Sequence, residues 1–312
     1  MRHVFILNPA AGKKENATKL IPSIDAYFAK EGGDYTIRQT EYAGHATEIA
    51  REEAKKEDPV RIYAVGGDGT LFEVTNGANG FDNAEITVIP CGSGNDYVKT
   101  YGSPEEFLDL PALINGTPKM VDAIQCGDVV SLNLCSLGMD ADIGAGMNRF
   151  KRWPLVSGPF AYDLAVVNAL LHPIGNHLKV IMETPDGTIE REGRYLFSLA
   201  ANGQYYGGGY HGAPGAKPDD GLLDFVLINT VSRLKAITLV KGYKQGQHYD
   251  WDICEHLQGT KMHILCEKGA CVNIDGEILH STDVTFELLP KHFRFVIPAT
   301  PNKETQSALK EL

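Results

Sequence analysis

Val65-Gly66-Gly67-Asp68-Gly69-Thr70 is preceded by Arg61-Ile62-Tyr63-Ala64, completing an apolar run, and followed by Leu71-Phe72-Glu73-Val74. That order reads as a strand, a glycine-rich turn and the start of a helix. Glycines let backbone N–H groups approach a polyanion closely, and a helix N-terminus adds the positive end of its dipole. Asp68 would repel a phosphate unless a cation lay between them, so the pattern predicts a metal together with a nucleotide. Gly66-Gly67 alone would be read as an ordinary turn. The aspartate, the threonine and the helix that follows favour the phosphate reading.

Working outward, strand signals fall at His3 to Leu7, Tyr35 to Thr40, Arg61 to Val65 and Glu85 to Ile89. Between them, Ala17 to Lys30 carries Leu20, Ile24, Tyr27 and Phe28 at helical spacing, and Ala46 to Lys56 is a second helix stopped by Asp58-Pro59. Strands alternating with helices predict an α/β domain with a parallel sheet and ligands at the strand C-termini, over residues 1–120. From about Met120 the texture changes. Val129 to Cys135, His177 to Glu183, Tyr195 to Ala201, Leu222 to Ile228, Lys261 to Cys266 and Val284 to Leu289 are strand-like and separated by turn residues. They predict an all-β domain, an antiparallel β-sandwich over residues 121–290, interrupted by helices at Tyr162 to Leu171 and Ser232 to Gly246. The polar tail, Asn302 to Leu312, either folds back or frays.

The 312 residues suffice for two domains, and 43% hydrophobic with 22% charged residues suits a soluble globular protein. No apolar run approaches the roughly 20 residues that span a bilayer, and Met1 to Pro9 is too short an apolar run for a signal peptide. Six cysteines without a CxxC pair read as reduced, mostly buried thiols. These features predict a cytoplasmic protein. A net charge of −11 argues against broad nucleic-acid binding.

Four further segments carry chemistry, each with a plainer alternative. Asn8-Pro9-Ala10-Ala11-Gly12-Lys13-Lys14 follows the first strand and offers N–H groups and positive charge, or is a simple strand-to-helix turn. In Pro90-Cys91-Gly92-Ser93-Gly94-Asn95-Asp96, Ser93 can donate to a phosphate, while Asn95 and above all Asp96 read as caps of the next helix. Lys217-Pro218-Asp219-Asp220-Gly221-Leu222-Leu223-Asp224 suits a hard cation or a solvated turn. Asn273-Ile274-Asp275-Gly276-Glu277 contains the Asp-Gly pair of a tight hairpin, which on its own leaves Glu277 a surface residue. His45 reads as a nucleotide contact or as packing at a helix start.

Taken in order, NPAAGK (8–13), GGDGT (66–70), PCGSGNDY (90–97), SLGMDAD (136–142), KPDDGLLD (217–224) and DGE (275–277) resemble the diacylglycerol kinase catalytic-domain family in its bacterial form, relatives of sphingosine and ceramide kinases. Ala11 stands where many members carry Ser, and Ser93 where many carry Thr. The resemblance implies an α/β nucleotide domain akin to those of NAD kinase and phosphofructokinase, a C-terminal β-sandwich, and a tail from about residue 291 that returns to the first domain. It also implies ATP held by Asn8, Pro9, Ala10, Ala11, Gly12, Thr40, Gly66, Gly67, Gly69, Thr70 and Ser93, with Asp68 facing the phosphates through Mg²⁺. Asp220 and the backbone oxygens of Lys217 and Leu222 would form a second, structural Mg²⁺ site, and Glu277 would be the catalytic base. The acceptor would be a lipid alcohol meeting ATP in a cleft between domains. Met147 to Val156, with Arg149, Lys151, Arg152, Phe150 and Trp153, reads either as a transient membrane-docking patch or as a basic loop with packed aromatics. A homodimer is compatible with the sequence. An NAD kinase shares GGDGT, and a catalytically silent nucleotide-binding regulator is the other alternative; PCGSGND with DGE favours the lipid enzyme.

Overall fold

The computed structural model describes residues 1–12, 17–139, 141–142 and 174–299. Met147 to Val156, the helix expected at Tyr162 to Leu171, Lys13, Lys14, Asp140 and the tail from residue 300 lie outside the described residues. Contacts divide the chain into two units, one of Met1–Val121 with Phe293–Leu312 and one of Asp122–His292.

In the first unit β1 (Arg2–Leu7), β2 (Asp34–Gln39), β3 (Val60–Gly66) and β4 (Ala84–Pro90) alternate with α1 (Ile21–Glu31), α2 (His45–Ala54) and α3 (Asp68–Ala78). The strands pair in parallel in the order β4-β3-β1-β2. All seven residues of β3 and of β4 are buried, as expected when helices cover both faces of a sheet. Phe5 stacks on Tyr63 with ring centroids 4.2 Å apart. Ile24 and Phe28 are the buried positions of α1. Two charges interrupt the apolar run as a pair. Arg61 donates to Glu85 on the neighbouring strand through Nε (2.8 Å) and Nη2 (2.7 Å), and its Nη1 reaches the carbonyls of Leu113 and Ile114 (3.2 and 2.6 Å) at the end of α4 (Leu110–Ile114). A buried guanidinium is tolerable because each face of it has an acceptor.

The second unit is built mainly of antiparallel strands. It contains the end of β5 (Thr117–Cys126), then β6 (Val129–Ser131), β7 (Leu134–Gly138), β8 (Asn176–Thr184), β9 (Gly187–Ala201), the short hairpin β10 (Tyr205–Tyr206) and β11 (Tyr210–His211), and β12 (Leu223–Asn229). Helix α5 (Arg233–Lys244), β13 (Cys254–Gly259), β14 (Lys261–Ile274) and most of β15 (Glu277–Ile297) complete it. β8 and β7 each lie between the long strands β9 and β14, one against each half, and the register of β14 against β15 shifts between Leu265 and Ala270. The last residues of β15, Arg294 and Phe295, belong to the first unit and pair in parallel with Glu85 and Ile86 of β4. The strand expected over Val129 to Cys135 is broken at Leu132-Asn133, where a carboxylate takes over the backbone amides.

Candidate active site

In the first unit the glycine-rich loops gather at the C-terminal ends of the parallel strands. Asn8 donates its amide N–H to the Val65 carbonyl (2.9 Å) and its side-chain NH₂ to Thr70 Oγ1 (3.0 Å). Its side-chain oxygen accepts from Ala10 N–H (3.0 Å), which shapes the Asn8–Gly12 turn. Cys91 N–H reaches the Gly66 carbonyl (2.7 Å), and Thr40 N–H the Leu7 carbonyl (2.9 Å). Glycine is required where the loops cross. A Cβ on Gly92 would lie 2.5 Å from the Gly67 Cα, and a Cβ on Gly66 would collide with the Thr70 side chain. Ser93 is exposed.

Asp68 is the first residue of α3, with Gly67 as N-cap. One of its oxygens accepts from Asp96 N–H (2.7 Å), while a Cβ at Gly94 would sit 2.7 Å from the other. Asp96 stands at the N-cap position of the turn Tyr97–Thr100, as expected, but its side chain makes no capping hydrogen bond. Its N–H is turned to Asp68, and its carboxylate takes Lys99 Nζ at 2.6 Å. Asn95, with φ 51°, closes the loop by exchanging hydrogen bonds with Gly92. His45 opens α2, accepts from Glu41 N–H (3.1 Å) and stacks on Tyr42, so it packs the helix start.

In the second unit Asp275 (φ 49°) and Gly276 (φ 100°) form the two-residue turn of the β14–β15 hairpin, and Ile274 pairs with Glu277. Positive φ at both turn residues is what Asp-Gly supplies. Glu277 is exposed directly after it. Asp275, the acid nearest to Glu277 in sequence, has a structural task. Its oxygens accept from the amides of Leu132 (3.0 Å), Asn133 (3.4 Å) and Leu134 (2.9 Å). Burial raises its pKa, with the Leu134 amide the strongest of the contacts acting the other way.

In the Lys217–Asp224 loop, Lys217 and Asp220 are exposed and Leu222 half-buried. Asp220 accepts from Leu222 N–H (3.1 Å). Burial raises the Asp220 pKa, and the charges of Asp224 and Asp122 add to the rise while Lys217 opposes it. Such crowded negative charge suits a hard cation. Among the described residues no three His, Cys, Asp or Glu side chains converge on one metal position, so a cation here would depend on the backbone oxygens of Lys217 and Leu222 beside Asp220. The oxygen donor at Asp68, at a helix N-terminus beside glycine loops, is likewise of the type Mg²⁺ takes with phosphates.

Three residues organise this unit without having been singled out in the sequence. Fully buried Asp122 accepts from the amides of Gly221 (2.8 Å) and Lys291 (2.6 Å). Asn202, also fully buried, donates to the carbonyls of Asp122 (2.8 Å) and Leu132 (2.7 Å). Asp224 accepts from His256 at 2.6 Å. The available signal was Asp122 itself, a lone acid in the apolar run Met120-Val121-Asp122-Ala123-Ile124.

The diacylglycerol kinase catalytic domain matches residues 2–126, and the "YegS C-terminal NAD kinase beta sandwich-like domain" matches residues 133–297. The chain belongs to the diacylglycerol kinase catalytic-domain family. It is 27% identical to "Diacylglycerol kinase" of Bacillus subtilis (strain 168), over 94% of this chain and 95% of that one. It is 29% identical to "Probable lipid kinase YegS-like" of Pseudomonas aeruginosa PAO1, over 86% of each. Among solved structures, a diacylglycerol kinase from Bacillus anthracis str. Sterne superposes with TM-score 0.68 at 25% identity, over 96% of this chain and 97% of that one.

Proposed function

We propose that this chain transfers the γ-phosphate of ATP to a lipid hydroxyl, that of diacylglycerol or a similar lipid alcohol, giving a phospholipid such as phosphatidic acid. The observation that carries the reading is the cradle at the strand ends: Asn8, Gly66–Thr70 and the Cys91–Asp96 loop tied to one another around Asp68. Phosphoryl transfer asks for alignment and charge stabilisation more than for covalent help from the protein.

In this reading Asn8 to Gly12, Thr40, Gly66, Gly67, Gly69, Thr70 and Ser93 hold the nucleotide, and N–H groups at the start of α3 face its phosphates. Mg²⁺, when bound, neutralises charge developing on the phosphate oxygens, with Asp68 as its protein ligand; Asp220 with Lys217 and Leu222 would hold a second, structural ion. Glu277 accepts the proton of the acceptor alcohol as its oxygen bonds to the γ-phosphorus and the bond to ADP breaks. Its exposure directly after the two-residue turn leaves the carboxylate open to an acceptor. Asp275 positions the turn and takes no proton.

The test is incubation with labelled ATP and a total lipid extract, with NAD as a control acceptor, followed by mass spectrometry of the product. Glu277→Gln should lower kcat about 10²–10⁴-fold, the usual effect of removing a positioned base, and leave the KM for ATP nearly unchanged. Label appearing in NAD and in no lipid would overturn the proposal.

A further inference from the structure

We propose that α5 is a docking helix for an anionic bilayer surface. It rests on the lipid-kinase reading for its purpose, since a substrate held in a bilayer must be met there; among the described residues no helix is long and apolar enough to cross one.

Helix α5 packs one face on the core and leaves two large aliphatics exposed. Its buried residues are Ala236 and Tyr243, and the Tyr243 hydroxyl lies 2.8 Å from that of Tyr206, its ring 4.5 Å from His248 and 5.2 Å from Phe197. Those contacts prevent the helix from rolling. On the opposite face, Leu234, Ile237 and Lys241 share a stripe at spacings of three and four residues. Leu234 is 79% exposed and Ile237 53%, two of only a few large apolar side chains so exposed among the described residues. A lone exposed leucine means little. Here the two aliphatics are accompanied by exposed Lys235 and Lys241, and no acid occurs from Val231 to Tyr249 in a chain of 40 acids and net charge −11.

Branched aliphatics on an outward face with Lys241, flanked by Lys235, match the boundary between lipid headgroups and acyl chains, the apolar groups inserting and the cations meeting phosphates. A second copy of the chain fits less well. Two aliphatic side chains cover far less than the roughly 1,600 Å² of a standard protein interface.

Full-length protein would be sedimented with vesicles of phosphatidylcholine, alone or mixed with phosphatidylglycerol, at low and high salt. The parent should bind the mixed vesicles, and salt should weaken the binding. Leu234→Ser with Ile237→Ser, and separately Lys235→Gln with Lys241→Gln, should each weaken it about tenfold or more, with unchanged circular dichroism and unchanged turnover of a short-chain soluble acceptor. Absent binding by the parent, or parent-like binding by both variants, would overturn the proposal. So would a parent dimer that the same substitutions dissociate, which would make the face a self-interface. Helix-dependent vesicle binding by a protein that phosphorylates no lipid would instead remove the kinase reading and leave the docking face standing.

Discussion

Asp275→Asn separates a residue that positions from one that reacts. The carboxylate accepts two good hydrogen bonds, from Leu134 (2.9 Å) and Leu132 (3.0 Å), and a long one from Asn133 (3.4 Å). Hydrogen bonds to a charged group contribute about 1.5–3 kcal/mol each. Asparagine tolerates the left-handed backbone at φ 49°, keeps one acceptor oxygen and turns an NH₂ toward donors that need an acceptor. One strong bond is then lost, a local cost of about 2 kcal/mol. The measurement is native-state hydrogen exchange at Leu132, Asn133 and Leu134, because in a two-unit chain global unfolding need not be two-state. A loss of about 2 kcal/mol accelerates opening about 30-fold at those amides. Glu277 follows Asp275 by two residues, so kcat should fall by roughly ten- to a hundredfold through misplacement, short of the full loss of a general base. The reasoning fails if exchange at the three amides is unchanged while turnover drops as far as in Glu277→Gln; Asp275 would then be reacting.

Other consequences are as direct. Asp68→Asn keeps the volume at the start of α3 but removes the charge proposed to hold Mg²⁺, so turnover should collapse while the thermal transition persists; parent activity at limiting Mg²⁺ would refute that role. Asp220→Ala should abolish the rise of Tm with Mg²⁺ in the absence of ATP, because a cation that binds the native state stabilises it by mass action, and an unaltered Mg²⁺ response would count against a site there. Fully buried His248 has its pKa lowered to about 4, chiefly by burial, against an ordinary value of 6.5. Between those values the unfolded chain binds more protons, so stability should fall as pH drops from 6.5 toward 4, by on the order of 3 kcal/mol. His248→Gln should flatten the acid limb of a Tm–pH curve, and an unchanged limb would place the titration elsewhere.

How much could be read beforehand follows from what periodicity records. Strands β3 and β4 were legible because burial on both faces makes Val60–Gly66 and Ala84–Pro90 largely apolar runs. Long-range pairing leaves no such trace. Nothing local indicates that Leu178 and Leu137 sit on strands sharing the neighbours β9 and β14. Nor does periodicity show that the run of β15 continues from Glu277 to Ile297 and crosses from one unit to the other. The break at Leu132-Asn133 was invisible for the same reason: its cause, Asp275, lies 143 residues away from Leu132.

The site divides in the same way. Glycine loops are local motifs, and Gly66, Gly67 and Gly92 declare themselves because only glycine lets those backbones approach. Polar residues that act through buried hydrogen bonds declare nothing by spacing. Asn202 ties the Leu132 carbonyl to that of Asp122, and Asp122 in turn holds the Gly221 amide. One connected set therefore runs from the Asp275 turn, which carries Glu277, to the loop that carries Asp220. Removing Asn202 would leave two buried carbonyls without that donor, each a loss of about 1–3 kcal/mol. A substitution there should disturb both the Glu277 turn and the Asp220 loop, although Asn202 takes no part in the proposed chemistry. Parallel loss of hydrogen-exchange protection at Leu134 and Gly221 in Asn202→Ala would reveal the connection, and loss at one amide alone would refute it.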